Sequence, residues 1–486
     1  MNNRGKKIFR DPIYDLIIFD KQEDDVILKI IDSPEFQRLR RIKQLGLSHY
    51  TFTSGVHDRF SHSIGVAYLA GILVDNLTLP TETIAVSYVS PDVEGNRVNL
   101  NLTKKQIKIL VRIAAILHDI GHGPFSHIFE RAVEEVRPGG LFHNKNRQAQ
   151  IHETIGTKII FDKDASISKI LDDFGDEELR GHSKYLVRDI LEGALEPFWI
   201  KEIISGQFDC DRIDYLLRDA YMCGVSYASF DWKWIFSNIE LSQETPLSKK
   251  ADEPFLYRLA INGEKGIYSV ESFLISRFHM HEQVYFHKTT QCMESILKYI
   301  FKRLIFLWDN KISEEHFYKV VPFIDKALIN FFNNPYDMRN YLKLDDLYMI
   351  SHFTLWIDSC EDTILKELCD CIVKRKTFKL LNSYTDLDSL KEDNFGKQLV
   401  ELAEEGIKQS APNLTPDEFK YFTIIDNRNN KVYKAGDTDQ IYIKNRIGEI
   451  KSIRDESKII GSLPPKTSIC RTFYHRDLSN KFIVTQ

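Results

Sequence analysis

A mainly α-helical protein with a smaller C-terminal α+β lobe is the architecture this sequence predicts. Three observations predict it. From Asp25 to about residue 410, apolar residues recur mostly at helical spacing. The stretch TKKQIKILVRIAAILHDIG is apolar on all sides in its last turns, as a buried helix must be. Beyond about residue 415 the pattern changes to short β-rich segments, DEFKYFTIID, NKVYKAG, QIYIKN and KFIVTQ, parted by Asn and Gly. We expect a core over residues 1–300, a helical extension over 301–414 and the α+β lobe over 415–486.

The chain opens with DPIYDLIIF, whose alternation predicts a short strand before a turn. DDVILKIIDSPEFQRLRRIKQLG then predicts one helix, a Ser-Pro start, and a second helix ending at Gly46. SHSIGVAYLAGILVDNL reads as a third. Residues 78–102 are polar and turn-rich, and we expect a surface insertion there. After the buried helix comes FSHIFERAVEEV, then a loop with Pro-Gly-Gly at 138–140. ETIGTKIIF, YLVRDILEGAL and FDCDRIDYLLRDAYM have helical spacing, as does most of 265–410.

Composition narrows the function classes. With 43% apolar residues, 28% charged residues and a net charge of −5, nothing sets up a global basic field for nucleic acid. The N-terminus lacks an apolar signal region, and no uncharged apolar run is long enough to span a bilayer. The seven cysteines are scattered, which fits reduced thiols and a cytoplasmic location.

The chemistry concentrates in LVRIAAILHDIGHGPFSH, residues 110–127. His118 and Asp119 end an apolar helix, and His122 and His127 follow. His62 lies upstream in RFSHSIG; His152 and Glu153 and then Asp211 lie downstream. One such donor alone is most often a helix cap or a charged face. Several in contexts suited to burial argue for convergence, because a buried charge without a partner is costly. Imidazole and carboxylate together suit Fe, Mn, Zn or Ni, with Mg a further candidate. We expect His62, His118, Asp119 and Asp211 to hold a divalent ion, and His127 to serve as a proton donor beside His122, His152 and Glu153.

These residues resemble a known family. RIKQLGLSHYTFTSGVHDRFSHSIGVAYLAG, AAILHDIGHGPFSHIFE, IHE and DRIDYLLRDAYMCG look like the HD-domain deoxynucleoside triphosphate (dNTP) triphosphohydrolases. The likeness covers most of residues 8–290. It implies an HD-domain helical fold and hydrolysis of dNTPs to deoxynucleoside and inorganic triphosphate. By motif matching it implies substrate contacts at Gln44, Leu45, Arg59, Arg212, Tyr215, Asp219, Arg277 and Tyr285. Arg212 stands where animal members of that family have lysine. Asp32, Gln37 and Arg40 match positions that read an activating guanine nucleotide, so a GTP or dNTP effector is implied. So is a homo-oligomer, dimer or tetramer, with no membrane partner. The alternative is an HD-type phosphodiesterase or nuclease acting on cyclic nucleotides or nucleic acid, the latter not favoured.

Overall fold

A computed structural model describes residues 5–89, 97–136, 151–176, 178–244, 256–334, 336–384, 394–430, 440–463 and 467–475. The expected mainly helical class is what it shows, with small sheets at the margins. The Pro-Gly-Gly loop, nearly all of NKVYKAG and all of KFIVTQ lie outside the described residues.

The N-terminal hairpin pairs β1 (Lys6–Asp11) with β2 (Asp15–Asp20) and leads into α1 (Asp25–Asp32). The second expected helix is shorter than the sequence predicts. Ser33 caps a single turn over Pro34–Gln37, and the chain then tightens into a 3₁₀ turn over Arg38–Arg41. Long-range bonds hold it there. Arg38 donates from two nitrogens to the Leu344 carbonyl, and Arg41 donates to Asp345 at 2.5 Å.

Helix α2 (Arg59–Asn76) begins at Asp58, whose carboxylate accepts the Ser61 N–H. It is buried almost all round and packs along α3 (Lys104–Leu117), which starts with a Thr103–Gln106 capping box. Between them, the expected insertion is instead a hairpin of β3 (Thr83–Val89) and β4 (Arg97–Thr103). Its alternation was present in the sequence: Ile84, Val86 and Tyr88 turn inward, and Asp189 accepts the Val89 N–H. Helices α4 (His127–Val136), α5 (Ile151–Phe161), α6 (Ser183–Glu192) and α7 (Cys210–Cys223) complete the core.

Strand pairing crosses both expected domain boundaries. A four-stranded sheet joins β5 (Ile239–Glu244) and β6 (Leu256–Asn262) to β9 (Tyr442–Lys444) and β10 (Ile450–Ser452), with β6 and β9 parallel. A second sheet sets β11 (Thr467–Tyr474) between β7 (Lys379–Tyr384) and β8 (Thr423–Asn430). β7 lies where only helix was expected. Helices α8 (Ile267–Met280), α9 (Lys288–Asp309), α10 (Asp346–Ser359) and α11 (Thr363–Val373) run between these sheets in sequence. Among the described residues, no helix is long and apolar enough to cross a membrane.

Candidate active site

The three segments that carry His62, His118-Asp119 and Asp211 meet at the end of the buried helix pair. His62 sits in the first turn of α2, because the Asp58 cap fixes where that helix starts. His118 and Asp119 follow the last turn of α3. Asp211 sits in the first turn of α7, whose Asp209 cap accepts the N–H groups of Arg212 and Gly206 at 2.7 and 2.8 Å. His62 Nε2 lies 3.0 Å from Asp211 Oδ1 and 3.6 Å from Asp119 Oδ2. His118 Nε2 lies 3.6 Å from Asp211 Oδ1 and 3.4 Å from Asp119 Oδ1.

The tautomers are set from behind. His62 Nδ1 donates to Asp214 at 2.8 Å, and His118 Nδ1 donates to the Ala115 carbonyl at 2.6 Å. Both imidazoles therefore turn Nε2 toward the carboxylates, as metal-ligating histidines do. Neither Nε2 makes a hydrogen bond of good geometry, although both are buried. Two orphaned nitrogens converging on Asp211, with Asp119 beside them at 3.4 and 3.6 Å, make a donor set that fits a divalent ion. Asp214 is itself locked by Arg218, which reaches Asp11 with its remaining nitrogen. Gly65 makes room for this network: a Cβ there would stand 2.0 Å from an Asp214 oxygen.

Charge explains what the site does without metal. Burial works against the charged form of His62, but Asp211, Asp214 and Asp119 overcome it and raise its pKa to about 10. The ordinary value is 6.5. This pairing therefore stabilises the fold fully below about pH 6.5, and the gain is lost as pH climbs through about 10. Urea unfolding of chelator-stripped protein should weaken across that window. Metal-loaded protein should lack the slope, and a flat profile in stripped protein would remove His62 from the cluster.

A second cluster adjoins the first through Asp119. His122 Nε2 lies 3.3 Å from Asp119 Oδ1, while its Nδ1 lies 3.2 Å from Glu130. Glu130 also meets His127 at 3.3 Å and His152 at 3.1 Å. The rings of His122 and His152 stack 3.8 Å apart. Glu130 is buried, yet its carboxyl lies well below the ordinary range: burial would raise it, and His152, His122 and His127 more than reverse that. Burial, then Arg59 and His152, push His122 down to about 3, so it is neutral. His127 differs from its neighbours: half of its side chain is exposed, at the cavity wall.

The loop between the clusters is held from outside. Phe125 and Ser126 both take left-handed backbone, at φ 56° and 58°. Such residues cost roughly 1–3 kcal/mol each and persist only where their surroundings impose them. Here α10 imposes them, since Asp346 accepts the Phe125 N–H at 2.7 Å and the Lys43 N–H at 2.9 Å. Gly121 is required for a different reason: a Cβ would lie 2.0 Å from the His152 carbonyl oxygen, so only glycine lets α5 approach.

Both clusters open into one cavity of about 1280 Å³. Of the residues expected to contact substrate, Gln44, Leu45, Arg59, Arg212, Tyr215, Asp219 and Tyr285 line it, and so does Glu153, expected beside His127. Arg59 is buried and committed to Asp119 at 2.5 Å and Ser126 at 2.8 Å. Asp219 accepts from Tyr285 at 2.7 Å and pairs with His57 at 2.8 Å. Arg277 departs from expectation: it is not among the lining residues, and it sits beside Tyr215 and Arg212. Asp32, Gln37 and Arg40 lie away from the cavity. Arg40 donates to Gln37 at 2.9 Å, and Asp32 is exposed.

Sequence reasoning missed Glu130, Asp214, His57 and His281. Glu130 and Asp214 carried a signal, since each falls three residues after a functional residue on the same helix face. His281 lines the cavity, and neither of its ring nitrogens has a hydrogen bond.

Known proteins resemble this arrangement. The HD domain matches residues 59–219, which contain both clusters, and an HD associated region matches 257–333. An uncharacterized protein of Bacillus subtilis, YwfO, is 29% identical over 97% of this chain and 93% of its own length. Deoxynucleoside triphosphate triphosphohydrolase SAMHD1 of Mus musculus is 29% identical over 60% of this chain, spanning 43% of the mouse protein. A solved phosphohydrolase (BT4208) from Bacteroides thetaiotaomicron shares the fold with a TM-score of 0.72 at 26% identity. That match covers 97% of this chain and 100% of the other.

Proposed function

We propose that this chain, which carries an HD domain and belongs with the HD-domain phosphohydrolases, hydrolyses dNTPs to deoxynucleoside and inorganic triphosphate. The observation that carries the reading is the sharing of Asp119. The same carboxylate faces the donor cluster and the histidine cluster, so a metal site and a proton-handling site lie side by side in one cavity. Likeness to the dNTP triphosphohydrolases in sequence supports the choice of substrate.

A divalent ion held by His62, His118, Asp119 and Asp211 would supply Lewis acidity and lower the pKa of a bound water to about 7. The protein's own groups do the rest. Arg59 and Arg212 place positive charge at the cavity wall, where phosphate oxygens carry negative charge. His127 presents a half-exposed imidazole to the cavity and gives its proton to the leaving 5′ oxygen. Glu130 orients that ring, while His122 and His152 pack around it.

Tyr215 and Tyr285 meet edge to face at 6.2 Å, and Asp219 anchors Tyr285. We assign this wall to the sugar, with the Tyr215 ring occupying the space a 2′ hydroxyl would need. Tyr215→Ala is expected to raise turnover of ribonucleotides relative to dNTPs by roughly tenfold or more. Unchanged rejection of ribonucleotides in competition assays would refute the steric account.

The same proposal takes Asp32, Gln37 and Arg40 as a surface that reads a guanine nucleotide, with the chain acting as a dimer or tetramer. The test of the whole reading is direct. Pure protein with each dNTP and Mn or Mg, with and without GTP, is separated by chromatography. Triphosphate release supports the reading. No turnover of any dNTP, with nucleoside monophosphate released instead from a cyclic nucleotide or an oligonucleotide supplied in parallel, would identify a phosphodiesterase or nuclease.

A further inference from the structure

A second set of metal-capable side chains lies outside the cavity, where α11 meets the end of β11. Glu367 and Cys371 are four residues apart on α11, hence on one face of that helix. His475 directly follows β11, and its N–H donates to the Phe422 carbonyl at 2.8 Å. The Phe378 and Phe422 rings flank its imidazole at 5.0 and 5.6 Å. Cys371 and His475 are buried, and Glu367 reaches solvent with about a third of its side chain.

The three donor atoms form a triangle. His475 Nε2 lies 3.0 Å from Glu367 Oε1 and 3.6 Å from Cys371 Sγ, and Sγ lies 3.8 Å from Oε1. Bonds of roughly 2.0–2.3 Å at tetrahedral angles would put such donors about 3.3–3.7 Å apart. All three edges fall within a few tenths of an ångström of that. As hydrogen bonds alone, the group is crowded, since one Nε2 faces both the carboxylate and the sulfur. One thiolate, one carboxylate and one neutral imidazole would bring a divalent ion to zero net charge. The neighbouring Asp370 is already engaged by Lys374 and Lys376 at 2.5 and 2.6 Å, so it does not compete.

We propose that Glu367, Cys371 and His475 bind a zinc ion that staples the C-terminal sheet to α11. A thiolate in the set selects zinc over magnesium or calcium, and water at the exposed Glu367 edge completes the four positions. The staple has a structural consequence for the active site. β11 pairs along its length with β8, and β8 delivers Asn427, Arg428 and Asn429 to the cavity wall. Fixing the end of β11 therefore fixes that wall.

The sulfur makes the site separable from the catalytic centre, whose proposed donors are all nitrogen and oxygen. Full-length protein is stripped with chelator and titrated with Co²⁺ while absorption is recorded. A thiolate-to-cobalt charge-transfer band in the near ultraviolet is expected, saturating at a single equivalent per chain. His118→Ala should keep the band. Cys371→Ser should lose it, and should also hold a single equivalent less zinc when purified without chelator. Should Cys371→Ser fail to fold, Glu367→Gln, at a partly exposed position, serves instead and should weaken Co²⁺ binding about tenfold or more. No band in the unmodified protein, or a band that survives Cys371→Ser, or Co²⁺ affinity unchanged by Glu367→Gln, overturns the proposal.

Discussion

Alanine at His118 is expected to strip the divalent ion from the catalytic centre and to lower kcat/KM by on the order of 10³ or more. The argument begins with the helix that presents the residue. The last turns of α3, residues 113–117, are fully buried and end at His118, so the imidazole is carried on a rigid element rather than on a loop. Its Nδ1 is spent on Ala115, which leaves Nε2 for the donor cluster. Removing it leaves His62, Asp119 and Asp211 facing one another with fewer nitrogen donors between two carboxylates. Metal analysis and turnover should fall together, while circular dichroism should report an intact helical fold. A variant that loses its metal and keeps full turnover would show that the reaction does not use this centre.

What could be read in advance follows from how each residue signals itself. HDIGHG was legible because histidine, aspartate and glycine at the end of an apolar helix conflict with ordinary core packing. Asp211 was legible because it repeats that conflict in FDCDRIDYLL. Glu130 carried only its three-residue spacing from His127, which a glutamate on the solvated face of an amphipathic helix shares. Its burial is a tertiary fact, created when α5 brings His152 against it. Asp346 gave no local signal, because its partners Lys43 and Phe125 lie 303 and 221 residues away. The sheet pairings were hidden for the same reason. β9 and β10 are three residues each; QIYIKN reads as β-rich, but β9 gains its place by pairing with β6 of the core and β10 by pairing with β9. The hairpin of β3 and β4 differs: its period-two pattern is present in the sequence, but its polar, turn-rich composition resembles that of a loop.

His127→Ala and Glu130→Gln should both lower kcat by about 10²–10⁴ with the metal retained, and the contrast between them locates the proton. His127 is the one member of its cluster with substantial exposure to the cavity, so its loss removes the donor itself. Adding imidazole to that variant should restore part of the rate. Glu130 does not face the leaving group. It is a positioning residue whose single carboxylate meets three imidazoles and whose charge keeps the His152 proton in place against burial. Glutamine preserves its shape and removes that charge. The Glu130→Gln variant should therefore show an altered pH profile, KM close to that of the unmodified protein and no rescue by added imidazole, because the His127 ring is still present but no longer held. Equal rescue of both variants would mean that Glu130 and His127 act on the same step in the same way, and the division of labour argued from their exposure would fail.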